Sequence, residues 1–95
     1  MIEHMVWIKF RDGVSEERVG EHMAALAGLA DNVPGIVDLK IGENFCDHSG
    51  GYTHGLLIQF ESRQNLDAYV AHPNHVAVAQ PLFEDADVLA MDIEC

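Results

Sequence analysis

Four stretches of this chain alternate apolar and polar residues with a period of two, and the stretches between them repeat apolar residues at helical spacing. In residues 2–10, His4, Val6, Ile8 and Phe10 fall on one face and Glu3, Met5, Trp7 and Lys9 on the other, the pattern of a strand. Arg11-Asp12-Gly13 is a turn signal. Ser15 reads as a helix N-cap, with Glu16 and Glu17 behind it where acids suit the positive end of the helix. Val14 and Val19 are spaced for a hydrophobic staple. Val19, Met23, Leu26 and Ala30 carry the helix to about Asp31-Asn32, and Val33-Pro34-Gly35 turns the chain. Residues 36–43 form a second strand, with Val37, Leu39 and Ile41 alternating with Asp38 and Lys40. Turn formers fill residues 44–51. Residues 52–61 are a third strand with Tyr52, His54, Leu56, Ile58 and Phe60 on one face. Ser62 caps a helix that runs to about Ala71. The chain should break near His72, because proline lacks an N–H and disfavours helical backbone in the residue before it, and restart with Pro73 tolerated at a first helical position. Beyond the break, residues 76–83 read as a short helix limited or kinked by Pro81. Residues 88–95 read as the last strand, with Leu89, Met91 and Ile93 alternating with Ala90, Asp92 and Glu94.

Strand, helix, strand, strand, helix, strand is the order of the α+β, ferredoxin-like βαββαβ plan, a four-stranded antiparallel sheet with helices on one face. Residues 1–95 are expected to make one domain. The sheet face away from the helices would carry Met5, Trp7, Leu89, Met91 and Ile93. A contiguous apolar face marks an interaction surface, so a symmetric homodimer with its sheets back to back is expected. A chain of 95 residues buries only roughly 60–65% of its unfolded surface, which also favours association.

Charge narrows the partners. The net charge is −11, and the five basic residues (Lys9, Arg11, Arg18, Lys40, Arg63) form no stripe. Nucleic acid and anionic membrane are therefore not expected partners. No apolar stretch approaches a membrane span. Cys46 and Cys95 are too few for a disulfide framework, and no basic, apolar leader opens the chain, so a reduced cytoplasmic protein is expected.

Candidate chemistry concentrates at the proline break, where His72-Pro73-Asn74-His75 follows Tyr69. Imidazole changes charge near neutral pH, so this cluster suits proton transfer or metal binding. His4 and His54 share their parity with core-type residues on strands 1 and 3, and so line the space between sheet and helices. The competing assignment is a transition-metal site in which His4 and His54 converge on His72 and His75, although Pro73 separates the latter pair. His72 is expected to serve the helix break, His22 to be exposed on its helix, and His48 to lie in a polar loop. Neither cysteine has a cationic neighbour in sequence to activate it.

His4-Met5-Val6-Trp7-Ile8-Lys9-Phe10, Val33-Pro34-Gly35-Ile36, Gly51-Tyr52-Thr53-His54 and, most specifically, the run from Tyr69 to Val76 resemble the stress-responsive dimeric α/β barrel (Dabb) family over essentially the whole chain. The resemblance implies a ferredoxin-like protomer whose dimer forms a barrel. Plant members include a polyketide cyclase that works by intramolecular aldol condensation without a cofactor. Its catalytic histidine and tyrosine match His75 and Tyr69, and two further pocket histidines match His4 and His54. This implies His75 as general base, Tyr69 as its partner or as hydrogen-bond donor to a forming enolate, and a small apolar or aromatic carbonyl ligand. Some members hold magnesium through backbone carbonyls, and the matching positions are Ala30, Val33 and Ile36. The alternative to a cyclase-, isomerase- or lyase-type enzyme is a non-catalytic, stress-induced structural dimer.

Overall fold

In the computed structural model, which describes residues 1–95, the alternating opening segment forms β1 (Ile2–Phe10). It is followed by α1 (Glu16–Ala27), α2 (Leu29–Asn32), β2 (Ile36–Glu43), β3 (His54–Phe60), α3 (Arg63–Ala71), α4 (Pro73–Asp85) and β4 (Ala86–Glu94). The sheet order is β2-β3-β1-β4 and every neighbouring pair is antiparallel, which is the ferredoxin-like arrangement. The parity of β1 is as the alternation requires: Ile2, His4, Val6 and Ile8 are buried, while Trp7 and Lys9 are exposed. Leu56, Ile58 and Phe60 of β3 join them, and Leu26, Leu66, Tyr69 and Leu82 close the core from the helices. Ser15 and Ser62 cap α1 and α3, each accepting the N–H three residues on, from Arg18 and Asn65.

The opposite face of the sheet is apolar and open. Met5 pairs with Met91 and Trp7 with Leu89, and Trp7, Leu89, Met91 and Ile93 are all exposed. No helix is long and apolar enough to cross a membrane.

The element boundaries depart from the sequence pattern in five places. Residues 36–41 do not simply alternate, because a bulge between Ile36 and Asp38 inserts Val37 as the extra residue. Ile36, Leu39 and Ile41 then all pack against the core while Val37 is exposed. The first helix is interrupted at Gly28, a poor helix former, so that α2 is a separate turn. β3 begins at His54, not at residue 52. The helix after the break is longer than residues 76–83 at both ends. Pro73 is itself the first residue of α4, where its missing N–H costs nothing, and the helix continues through Pro81 to Asp85. β4 starts at Ala86 because the end of β1 holds it. The Arg11 N–H donates to the Asp85 carbonyl at 2.8 Å, and the Arg11 guanidinium donates to the carbonyls of Phe83 and Glu84 at 2.9 and 2.6 Å.

His22 is not exposed. Only 4% of it is accessible, and its Nε2–H donates to Asp85 Oδ2 at 2.6 Å. Arg18 Nε donates to the same oxygen at 2.9 Å. The His22 bond first, and the Arg18 bond second, hold the Asp85 carboxyl below its ordinary value. A depressed folded value contributes stability above the unfolded one, and that contribution is lost as pH falls through the folded value. Asp85→Asn is therefore expected to lower the urea midpoint at pH 7, and the gap from the parent should narrow below pH 3.8. An equal gap at pH 7 and pH 3 would contradict this origin.

Candidate functional site

The site begins with carbonyls that Pro73 leaves without donors. In an uninterrupted helix the Tyr69 carbonyl would accept from residue 73, which has no N–H. It accepts the His72 N–H at 3.1 Å instead. The Val70 carbonyl would accept from Asn74, but the Asn74 N–H donates to His72 Nδ1 at 3.1 Å, so His72 is the N-cap of α4. His75 Nδ1–H then donates to the freed Val70 oxygen at 3.0 Å. This bond sets the tautomer of His75 and leaves Nε2 with its lone pair. Burial pushes the His75 pKa down from 6.5; the Val70 bond opposes the shift and the nearby His4 adds to it. The ring is consequently neutral at pH 7 and able to accept a proton.

Tyr69 lies against this imidazole, with ring centroids 4.3 Å apart. Its other neighbours are Phe60 at 5.1 Å and His4 at 5.9 Å. The residue is only 1% accessible, yet its hydroxyl has no hydrogen-bond partner in the protein. No side-chain oxygen or nitrogen sealed from solvent lacks a partner, so the unpartnered Oη keeps only a sliver of accessible surface. Burial raises its pKa to about 12, and the phenol stays a donor across the neutral range.

His4 stands directly across the β1–β4 ladder from Asp92, and its Nδ1–H is bonded to the Asp92 carboxylate. In the alternation of the last strand Asp92 is one of the polar positions and carries no expected role. The signal was present: if Leu89, Met91 and Ile93 face outward, Asp92 faces the helices with His4.

His4, Tyr69 and His75 thus meet in one cluster, with Phe60 at its base. His54 faces the same side of the sheet but belongs elsewhere. It pairs with Ile8, whereas His4 pairs with Ile58, four positions along the ladder and about 13 Å away. Its ring stands edge-on to Phe10 at 5.2 Å, and its Nδ1 is 2.8 Å from Thr53 Oγ1. It lines a cleft of about 620 Å³ between α1 and β2, with Glu16, Met23 and Glu43, and a hollow of about 260 Å³ under the β2–β3 loop. None of the principal hollows is lined by Tyr69 or His75.

Metal binding finds little support in the donor sets. No three His, Cys, Asp or Glu side chains gather where they could ligate one ion, and Nδ1 is already engaged in both His72 and His75. The turn through Ala30, Val33 and Ile36 suits a hard cation only through neutral oxygens. Pro34 offers no N–H to the Ala30 carbonyl, which leaves that oxygen free of a helical donor. The adjacent Asn32 carbonyl is taken by Asn74 Nδ2 at 2.8 Å.

The family model of the stress responsive A/B barrel domain (Dabb) matches residues 2–95. The chain belongs to this family. Among curated A/B barrel relatives, olivetolic acid cyclase of Cannabis sativa is 29% identical over 77 residues, covering 79% of this chain and 76% of that protein. The stress-response A/B barrel domain-containing protein HS1 of Arabidopsis thaliana is 31% identical over 94 residues, covering 96% and 86%. Among solved structures, a dimeric ferredoxin-like protein of unknown function from Jannaschia sp. superposes with a TM-score of 0.85 at 31% identity, covering 99% of this chain and 98% of that one. A/B barrel relatives therefore include both an enzyme and proteins known by their dimeric form.

Proposed function

We propose that this protein is a two-fold dimeric A/B barrel that binds a small, mostly apolar or aromatic carbonyl compound and moves a proton next to the carbonyl without a cofactor. The observation that carries this reading is the Val70–His75 bond, which leaves His75 Nε2 as a bare base beside the unpartnered hydroxyl of Tyr69. The C–H proton next to the carbonyl passes to Nε2, the electron pair of that bond moves onto the carbonyl oxygen, and the Tyr69 O–H donates to the enolate so formed. Return of the proton from His75 to another atom gives isomerisation; attack of the enolate on a second carbonyl of the same molecule, whose oxygen takes that proton, closes a ring; and expulsion of a substituent next to the enolate, which leaves with that proton, is the lyase outcome. His4, oriented by Asp92, is a polar wall of the site, and His54 meets the distal part of a longer ligand. Ala30, Val33 and Ile36 would hold a structural magnesium ion through their carbonyls, outside the chemistry. The open apolar face and the dimeric form of the Jannaschia relative support the back-to-back dimer. The net charge of −11 argues against nucleic acid and anionic membrane as partners.

The test needs no known substrate. Small aromatic and polyketide-like ketones are incubated with the protein in D2O, and loss of the protons next to the carbonyl is followed by NMR. Exchange should exceed buffer and rise with pH to a plateau, with a midpoint below 6.5, because the base works when neutral and burial lowers its pKa. Exchange equal to buffer for every ketone, or a rate that falls as pH rises, would refute the reading. The alternative of a non-catalytic stress dimer draws on one observation: no principal hollow of the protomer opens onto Tyr69 or His75.

A further inference from the structure

The β2–β3 loop holds a phenylalanine entirely in solvent. Phe45 is 101% accessible, as bare as in an extended peptide, while the loop around it is firmly built. Asn44 Nδ2 donates to the carbonyls of Cys46 and Tyr52 at 3.0 and 2.9 Å and lies 2.8 Å from Ser49 Oγ. Asn44 Oδ1 accepts the Cys46 N–H at 2.9 Å, and the Asn44 N–H donates to the Thr53 carbonyl at 2.8 Å. Gly50 and Gly51 close the loop with positive φ angles of 68° and 89°, a conformation that glycine takes without strain. Both neighbours of Phe45 are therefore pinned, and the ring is presented rather than left on a slack segment.

The loop borders the open sheet face, since Tyr52 reaches Trp7 with ring centroids 6.3 Å apart. That face carries a groove of about 200 Å³ lined only by Met5, Trp7, Leu89, Ala90 and Met91. An apolar cavity of about 150 Å³ suffices for benzene. Phe45 does not occupy the groove of its own chain, because it touches nothing there. In a two-fold dimer each protomer presents every surface its partner presents, so a knob and a matching hole on one chain satisfy both copies.

We propose that Phe45 of each protomer seats in the Met5–Trp7–Leu89–Met91 groove of its partner and anchors the dimer. This rests on the back-to-back dimer proposed above and adds a specific contact to it. Aromatic anchors filling apolar pockets dominate interface energetics, and each dimer holds two of these. Sedimentation of the full chain over a wide concentration range tests it. Phe45→Ala should raise the dimer Kd about a hundredfold, and Met91→Ala roughly tenfold. The double variant should raise the Kd over the parent by less than the product of the two single effects. A benzoylphenylalanine photo-crosslinker in place of Phe45 should attach to Leu89 or Met91 of the second chain when light and 15N-labelled chains are mixed. A parent that stays monomeric at all concentrations overturns the dimer and this contact with it. A dimeric parent with an unchanged Kd for Phe45→Ala, or cross-links confined to one chain or to the helices, overturns the contact alone.

Discussion

Replacing His75 by alanine is expected to cut proton exchange into a bound ketone by about 10²- to 10⁴-fold, the usual worth of a positioned general base. The fold should survive. His75 is only half-buried, its single hydrogen bond goes to a carbonyl at a helix end, and α4 keeps its N-cap through His72 and Asn74. Circular dichroism and sedimentation should therefore match the parent while exchange collapses. Tyr69→Phe separates the two roles. It retains the ring that packs on Phe60 and removes only an unpartnered hydroxyl, so stability should hold. Exchange should drop by roughly tenfold or more through loss of the enolate donor. A His75→Ala protein that unfolds would instead make the imidazole structural, and full activity in both variants would remove the cluster from the chemistry.

The largest stability loss is expected from Phe60→Ala. Phe60 is completely buried at the end of β3 and pairs with Ile2 on one side and Ile36 on the other. Its ring meets Tyr69 at 5.1 Å and His4 at 6.5 Å, so it is the floor on which both stand. Removing a buried phenyl ring costs about 3–5 kcal/mol, from lost transfer energy and the cavity left behind. At this chain length each kcal/mol moves Tm by about 4–8 °C, so a fall of roughly 12–40 °C is expected by calorimetry at fixed protein concentration. A fall of only a few degrees would show that the aromatic cluster is loosely packed. Any exchange activity left at low temperature should also decline, because Tyr69 loses the surface that holds its hydroxyl in place.

Strand parity makes most of the fold legible in the sequence. His4 with Val6 and Ile8, and His54 with Leu56 and Ile58, face the helices as the alternation requires, and both serine caps stand where they were expected. What escaped depends on partners distant in sequence. His22 lies between Val19 and Leu26 on the apolar stripe of α1, but the acceptor that makes its burial tolerable is Asp85, 63 residues away. Asp92 meets His4 only through the register of β1 against β4. The bulge at Val37 inverts the expected facing of Ile36 and Val37, and no local composition announces it. His4 and His54 share a face, yet four ladder positions separate them, a distance that parity alone does not convey.

Pro73 has no ionisable group, yet it governs where one proton resides. By withholding an N–H and starting a new helix, it leaves the Val70 carbonyl to His75, and that carbonyl keeps the proton on Nδ1. An alanine at this position would let one helix run on, return the Val70 oxygen to the Asn74 amide, and free the imidazole to exchange tautomers. The acid–base character of this corner is thus inherited through backbone connectivity. A homologue could keep both the histidine and the tyrosine and still lose it.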